Sequence, residues 1–365
     1  MALEHFVNNV QTTLNGAITS GATSITVASS TGFPPPFFRV VIDSELLLVT
    51  AVSGTTWSVK RGIEGTTAAA HANGATVTQV LTGGAVTNLG ATQNPGLCQG
   101  RLTLTSGTAV TTSDVTGGTL YFTPYLGGRV ALFDGTQWNL YALSGDVSLG
   151  LSIAAGTNYD MFLYVDASGN LFLEKTAWSS NTARATSLTL QDGVYVRSDD
   201  ATRRYLGTIR GSAANTAADT FAQRFVWNYY NRVRRPLRQL ESMGSWSYNT
   251  VGAWRAANNN SANKVEVVLG EQESPAHVEV EASGSTTGSN IGSVGVGLDT
   301  STGNNATLFS TITGSVVAVA RALYEDFPGI GYHYFQWVEY TAANTGGAVG
   351  WYGDYSTYQC QSGMS

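Results

Sequence analysis

The sequence contains little charge. Asp, Glu, Lys and Arg make up 12% of its 365 residues, about half the usual share of ~25%. Lysine is nearly absent, with three lysines against sixteen arginines, and the formal net charge is −6. The acidic balance argues against non-specific nucleic-acid binding by the chain as a whole. A surface with so little charge must consist mainly of Thr, Ser, Asn and Gly, which suits rigid β-scaffolds and closely packed oligomers better than cytosolic enzymes.

Cysteine and long apolar segments are scarce as well. Cys98 and Cys360 are the two cysteines; they cannot form a disulfide framework, and we expect each to be a free, buried thiol. No window of about 18 apolar residues exists, so no membrane span is predicted. The first ten residues, MALEHFVNNV, lack a basic segment followed by an apolar run. We therefore expect no secretory signal and predict synthesis in a cytoplasm.

The residues that are abundant indicate β-structure. Gly accounts for 42 residues, and Thr and Val are frequent, which favours short strands joined by tight turns. A chain of this length is expected to form two to four domains. The predicted fold class is mainly β, with consecutive β-sandwich or barrel domains, one amphipathic helix and a C-terminal jelly-roll-like sandwich. The predicted divisions are an N-terminal β-domain at 1–88, a central β-domain at 101–212, a helical connector at 213–240 and a C-terminal β-sandwich domain at 241–365.

The helix is predicted over residues 216–235. Thr216 has the character of a cap, with Asp219 at the capping-box position, and Pro236 ends the segment. The apolar stripe recurs every four residues; its members are Phe221, Phe225, Tyr229 and Val233. The β-branched and aromatic residues of RFVWNYY would also suit a strand.

No catalytic, cofactor-binding or metal-binding signature is apparent, and we predict that the chain is not an enzyme. It contains neither a Walker-type phosphate loop nor a GxSxG elbow, and its four histidines lack metal-ligand spacing. His71 lies in the conspicuous segment EGTTAAAHANG, where a hydrogen bond that orders the loop is the favoured role. Asp166 begins a calcium-loop-like segment, but Ala177 at its twelfth position excludes an EF-hand.

An arginine-rich aromatic segment is the first candidate binding site. Arginine beside aromatic side chains could bind nucleic acid by phosphate pairing and stacking, but the acidic chain favours ion pairing with a neighbouring subunit. The predicted subunit-interface residues are Arg224, Trp227, Tyr230, Arg234 and Arg235.

Aromatic residues near the C-terminus form the second candidate site. Exposed Trp and Tyr side chains on a β-sandwich can stack on sugar rings and form a receptor-binding surface. Packing in the core and between subunits is the favoured alternative. The candidate surface aromatics are Tyr334, Trp337, Trp351 and Tyr355.

Spaced residues near the N-terminus resemble a known module. Gly-Phe-Pro at 32–34, an acidic residue before an apolar run, and the pattern RGxEGTxAxxHxxGxxV follow in that order. This block resembles the N-terminal module of many tail and head-fibre proteins of tailed bacteriophages. The matching residues are Gly32, Phe33, Pro34, Glu45, Arg61, Gly62, Glu64, Gly65, Thr66, His71, Gly74 and Val77.

Three later segments extend the resemblance over nearly the whole chain. They are TLYFTPYLGGRVALFDGTQWNLY with YDMFLYVDASGNLFLE, RRYLGTIR followed by RFVWNYYNRVRRP, and MGSWSYNTVGAWRAANNNSANKVEVVLG with GYHYFQWVEY. The resemblance implies a virion structural protein made in the host bacterial cytoplasm. It implies a fibre, hub or decoration subunit that contacts other head or tail proteins and forms a homo-oligomer, with a trimer expected.

Two other functions stay open. The aromatic C-terminal region could make the chain a carbohydrate-binding protein that recognises a host surface glycan. A polysaccharide depolymerase is the third hypothesis.

Overall fold

A computed structural model describes residues 4–86, 94–273, 275–342, 347–355, 360–361 and 363–364, with Tyr355 and the later residues described by their backbone only. The chain forms two compact units. The first consists of Met1–Leu97, Val130–Ala142 and Leu190–Val194, and the second of Cys98–Arg129, Leu143–Thr189 and Tyr195–Ser365.

A six-stranded antiparallel sheet forms most of the first unit, with strand order β1-β6-β3-β4-β5-β2. A backbone bridge between Leu14 and Val27 joins the two end strands, so that the sheet closes on itself. Closure removes the exposed edges that an open sheet would have. The strands are β1 (Gln11–Thr13), β2 (Ser24–Thr26), β3 (Phe38–Ile42), β4 (Glu45–Ser53), β5 (Thr56–Lys60) and β6 (Thr76–Gln79).

Alternation of apolar side chains explains this closed sheet. Trp57 and Val59 of β5 point inward while their neighbours are exposed, as expected for a strand with one buried face. Trp57 contacts the ring of Phe38 edge to face, with centroids 5.3 Å apart. The buried core contains Leu14, Ile25, Val27, Phe38, Val40, Ile42, Leu47, Val49, Trp57, Val59 and Val77.

The middle of the chain is also made of short strands. They are β7 (Gly100–Thr103), β8 (Val115–Gly117), β9 (Thr119–Pro124), β10 (Arg129–Phe133), β11 (Trp138–Ala142), β12 (Val147–Gly150), β13 (Asn158–Val165), β14 (Leu171–Ala177), β15 (Leu188–Gln191), β16 (Val194–Arg197), β17 (Asp200–Ala213), β18 (Thr216–Asp219), β19 (Gln223–Arg224) and β20 (Val226–Asn228).

The last third of the chain contains fourteen further strands. They are β21 (Gln239–Leu240), β22 (Ser245–Tyr248), β23 (Trp254–Ala256), β24 (Lys264–Leu269), β25 (Ala276–Thr286), β26 (Ile291–Leu298), β27 (Thr307–Ser310), β28 (Ile312–Thr313), β29 (Ala318–Asp326), β30 (Gly331–Ala342), β31 (Val349–Tyr352), β32 (Asp354–Tyr355), β33 (Cys360–Gln361) and β34 (Gly363–Met364).

Two large sheets organise the second unit. One runs β14-β13-β17-β18-β19-β24-β30-β26-β28, and the other runs β21-β34-β25-β29-β27. Residues from both the predicted central domain and the predicted C-terminal domain contribute strands to the first of these sheets. Inward side chains of the two sheets form one core, which includes Val265, Val280, Val294, Phe335, Trp337 and Trp351. The chain is therefore mainly β, as predicted, with sheets packed face to face.

The predicted helix over 216–235 is wrong. Residues 216–228 contain strands β18, β19 and β20, and the chain continues without regular structure to residue 238. A tight turn joins the first two strands, because the Thr220 amide donates to Gln223 and the Gln223 amide donates to the Thr220 hydroxyl. The β-branched and aromatic residues suit strands, and Asp219 forms ion pairs rather than a helix cap.

Helical structure is sparse in the described part of the chain. Residues 83–86 are helical, and Ala257–Asn259 forms a 3-10 turn. Neither approaches the length that would carry a helix across a bilayer, and no other described helix does.

Candidate binding and assembly sites

A buried carboxylate organises the N-terminal loop. Glu45 is 1% exposed, and its two oxygens accept bonds from Nε and Nη2 of Arg61 at 2.7 and 2.6 Å. They also accept the amides of Gly62 and Ala69, both at 3.0 Å, and Nε2 of His71 at 2.8 Å. Arg61, Gly62 and His71 of the RGxEGTxAxxHxxGxxV pattern therefore converge on one carboxylate.

His71 connects this carboxylate to a second one. Its Nδ1 lies 2.7 Å from the Asp43 carboxylate, and carboxylates only accept, so both ring nitrogens donate when both bonds form. The ring thus orders the loop between β5 and β6, as predicted for His71. Gly62 supplies a positive φ of 59°, and a side chain there would press on the backbone at Thr66 and Ala68.

Hydrogen bonding controls the ionisation of Glu45. Burial alone would raise its pKa, but the bonds from Arg61, Ala69 and His71 outweigh burial and lower the pKa to about 2. The carboxylate is therefore ionised at neutral pH and acts as a structural anchor of the loop.

Acidification is expected to loosen the N-terminal unit. The pKa of Glu45 falls from its ordinary 4.5 to about 2 on folding, so its contribution is complete above 4.5 and is lost as the pH falls toward 2. At about 1.4 kcal/mol per pH unit, the loss approaches about 3 kcal/mol. Hydrogen exchange of β4 amides, corrected for intrinsic rates, measures it. A free energy of opening that stays constant from about pH 5 to about pH 2 contradicts this linkage.

A second ion cluster in this unit surrounds Arg39. Arg39 is 5% exposed, and its guanidinium donates to both oxygens of Glu4 at 2.9 and 2.7 Å. It also pairs with Glu64, which accepts the Gly84 amide at 2.8 Å. Through Arg39, the cluster thus links β3 to Glu4 before β1 and, through Glu64, to Gly84 after β6.

The arginine-rich segment forms ion pairs within its own chain. Asp219 accepts Nη1 of Arg224 at 3.0 Å and also pairs with Arg235. Arg235 donates its other terminal nitrogen to Thr111 at 2.7 Å, and Arg224 bonds the carbonyl of Pro236. The structure therefore brings two of the predicted interface residues together around Asp219. Their role in subunit contacts stays a prediction.

The other predicted interface residues lie in different surroundings. The Trp227 ring has the Arg232 guanidinium 5.0 Å from its centroid, and the Tyr230 ring has Arg204 at 4.6 Å. Arg234 is exposed. Sequence reasoning missed Arg204, whose pairing with a ring 26 residues away left no local pattern.

The arginine-rich segment borders two adjoining cavities on the second unit, which we call the inner pocket and the outer depression. The inner pocket has a volume of about 220 Å³, and the outer depression has a volume of about 600 Å³. Both contain Arg235 and Leu237, so they adjoin. The inner pocket is lined by residues that include Arg101, Arg224, Arg232, Arg235, Trp227 and Leu237. The outer depression is lined by Arg234, Arg235, Pro236, Leu237, Arg238, His277 and Glu279.

Arginines in the inner pocket oppose one another electrostatically. Burial and the neighbouring Arg235 charge lower the pKa of Arg224 despite its pairing with Asp219. Burial and Arg235 lower the pKa of Arg101 in the same way. The pocket is therefore suited to bind an anion, because an added negative charge would relieve this repulsion.

Two of the predicted surface aromatics are buried. Trp337 and Trp351 are 0% exposed and belong to the core between the two large sheets. Their placement at the receptor surface is wrong, because both occupy inward positions of their strands, β30 and β31. Tyr334 is half-buried, with Nζ of Lys264 5.0 Å from its ring centroid. The side chain of Tyr355 lies outside the described residues.

The cysteine expectation is met at one position. Cys98 is free and buried, and burial raises the pKa of its thiol. The side chain of Cys360 lies outside the described residues. No group of three or more His, Cys, Asp and Glu side chains in the described ranges is placed to hold a metal ion.

No protein-family model matches the sequence, and no curated protein matches it either.

Proposed function

We propose that the chain is a structural subunit of a tailed-phage virion, of the fibre, hub or decoration type. It acts by assembling into a homo-oligomer, for which a trimer is expected, and by attaching to other head or tail proteins. The observation that carries the proposal is an exposed apolar edge on the second unit, described next. The N-terminal module residues that meet at Glu45 support it further.

Strand β27 presents this apolar edge. It ends the sheet order β21-β34-β25-β29-β27 among the described strands, and all four of its residues are exposed. Leu308 is 40% and Phe309 60% exposed, and Val319 on the adjacent β29 is 49% exposed. The pairing with β29 shifts register between Leu308 and Ser310, which leaves Phe309 in the irregular position.

Such an edge favours pairing with another copy of the chain. Unpaired backbone groups beside apolar side chains form a template for association, and proteins usually protect such edges with charge or proline. Arg321 of β29 is the nearby cation, 5.8 Å from the Phe309 ring. The edge therefore combines an outer strand, which pairs on one side only among the described strands, with apolar area, as subunit interfaces do.

Replacing Leu308 and Phe309 together by Ser is expected to convert the oligomer to a monomer. Loss of two apolar side chains at an interface weakens the free energy of association by about 3 kcal/mol or more per contact. Light scattering after size exclusion measures the absolute mass. Leu190→Ser is the matched control, because Leu190 is 58% exposed in the other unit. A wild-type monomer, or an unchanged mass for the double variant, contradicts assembly through this edge.

The Arg234→Ala variant distinguishes assembly through the β27 edge from assembly through the predicted arginine interface. Arg234 is exposed, so its removal leaves the Asp219 ion pairs in place. A drop in mass for this variant, with the β27 variant unaffected, would place assembly at the arginine segment. Detection of the chain by mass spectrometry in purified phage particles tests the virion location itself.

Recognition of a host glycan is a second candidate function. The observation that favours it is the inner pocket, where arginines lie beside Trp227. Arginine and indole are among the side chains that most often dominate binding energy.

A further inference from the structure

The inner pocket contains more cationic than anionic groups. Four arginines line it. Asp219 is shared by Arg224 and Arg235, and Glu273 pairs with Arg232. Arg101 is 4% exposed and donates instead to the carbonyl oxygens of Ala109, at 3.0 Å, and Asn231. Among the described residues, two carboxylates therefore pair with three of the four guanidinium groups, and Arg101 has no ion-pair partner.

One donor in this group is unused. Nε of Arg224 is buried and has no hydrogen-bond partner among the described residues. A buried donor without a partner costs about 1–3 kcal/mol. Guanidinium groups pair with carboxylate and phosphate through parallel hydrogen bonds. The chemistry of the pocket thus matches an oxygen anion.

Most of the remaining wall is apolar. Trp227, Val226, Val233 and Leu237 line the same space beside Asn228, and aromatic faces stack on the carbon face of sugar rings. The pocket has a volume of about 220 Å³, below the usual range of ligand sites, so we expect it to hold one sugar ring.

We infer that the inner pocket binds an acidic saccharide through a carboxylate or phosphate on one sugar ring. The anionic group meets Arg101 and Arg224, and the ring lies against Trp227. That the sugar belongs to a bacterial surface glycan rests on the proposed function. That the sugar is acidic rests on the arginines of the pocket alone.

The outer depression extends the site. It adjoins the inner pocket at Arg235 and Leu237 and adds Arg234 and Arg238. Its about 600 Å³ lies within the usual range for ligand sites. Neighbouring sugars of a chain would lie there, so affinity should increase from the monosaccharide to a short acidic oligosaccharide.

Isothermal titration calorimetry of the full chain at low salt tests the inference. The probes are glucuronate, glucose 6-phosphate, neutral glucose and a trigalacturonate. We expect the acidic probes to bind, neutral glucose to bind at least tenfold more weakly, and trigalacturonate to bind at least fivefold more tightly than glucuronate. Added salt should weaken acidic binding, because ions screen partly exposed charges.

Variants locate the binding. Arg224→Gln is expected to weaken acidic binding at least tenfold. Because this variant also removes an Asp219 pair, Arg232→Gln is tested beside it; this side chain is 37% exposed, and a threefold or greater loss is expected. Arg129→Gln, which replaces an exposed arginine away from the pocket, should bind as the wild type does.

The outcomes are distinguishable. Preference for glucuronate identifies the carboxylate source, and preference for glucose 6-phosphate identifies the phosphate source. Equal affinity for acetate or inorganic phosphate overturns the saccharide assignment, as does tighter arginine-dependent binding of a single-stranded oligonucleotide. Loss of oligomer mass in Arg224→Gln would show that a second copy fills the pocket, which also overturns it. Light scattering on the same samples reports assembly separately, so failure of the binding site and failure of the proposed function give different results.

Discussion

Replacing Glu45 with Gln is expected to destabilise the N-terminal unit by about 3–5 kcal/mol, the usual cost of breaking a buried ion pair on one side. The amide would leave Arg61 and His71 without their shared negative charge. It would also turn an NH₂ group toward donors, since Arg61, Gly62, Ala69 and His71 all donate to this side chain. Such a loss is a large part of the ~5–15 kcal/mol that holds a domain together.

Hydrogen exchange read by mass spectrometry localises this effect. Peptides from β3, β4 and β5 should lose protection, while peptides from β25 and β30 of the second unit should keep theirs. Asp43→Asn is the matched control, since this carboxylate is 67% exposed and accepts from His71 at 2.7 Å; we expect less than about 1 kcal/mol. Equal losses of protection in the Glu45→Gln and Asp43→Asn variants would show that the burial of Glu45 does not increase its contribution to stability.

Local pattern was sufficient to predict the fold class. Alternation in TWSVK is typical of a strand with one buried face, and the structure buries Trp57 and Val59 of β5. The acidic residue before LLLV and the later RGxEGT segment identify the loop, and His71 orders it as predicted. These features depend on side-chain period and on turn chemistry, both of which are visible in neighbouring residues.

The helix error shows where local pattern fails. Spacing of four at Phe221, Phe225 and Tyr229 fits a helical stripe, but the same residues also suit strands that meet partners elsewhere. Phe225 is buried against the Tyr332 ring, with centroids 6.1 Å apart. That partner lies more than a hundred residues away and leaves no mark on the local spacing.

The inner pocket could not be predicted from the sequence for the same reason. Arg101 joins it through a bond to Asn231, 130 residues along the chain. Asp219, which the capping pattern suggested as a helix residue, instead lies between two guanidinium groups. The density of arginine identified the arginine-rich segment as a candidate site. Which of its charges form ion pairs within the chain depends on the fold.

Replacing Gly207 with Ala is expected to disrupt β17 and the pocket wall together. Gly207 belongs to the RRYLGTIR segment, pairs with Asn228 of β20, and adjoins a register shift in the pairing of β17 with β13. An added Cβ would overlap the carbonyl oxygen of Trp227. Because that atom is backbone, β20 must move or the pairing must open, and we expect a cost of about 3 kcal/mol or more, at the upper end for overpacked sites.

The same displacement should reach the pocket, because Trp227 and Asn228 line it. Urea unfolding should show a lower midpoint for Gly207→Ala, and titration with glucuronate should show weaker binding in the protein that stays folded. Gly150→Ala in β12 is the matched control, since a Cβ there meets nothing within 4 Å, and its free energy of unfolding should change by less than about 0.5 kcal/mol. Similar urea midpoints for the two variants would mean that β20 can move away from the added Cβ at little cost in stability. The proposed sugar site depends on a rigid pairing of β17 with β20, because that pairing holds Trp227 in the pocket wall beside Arg232.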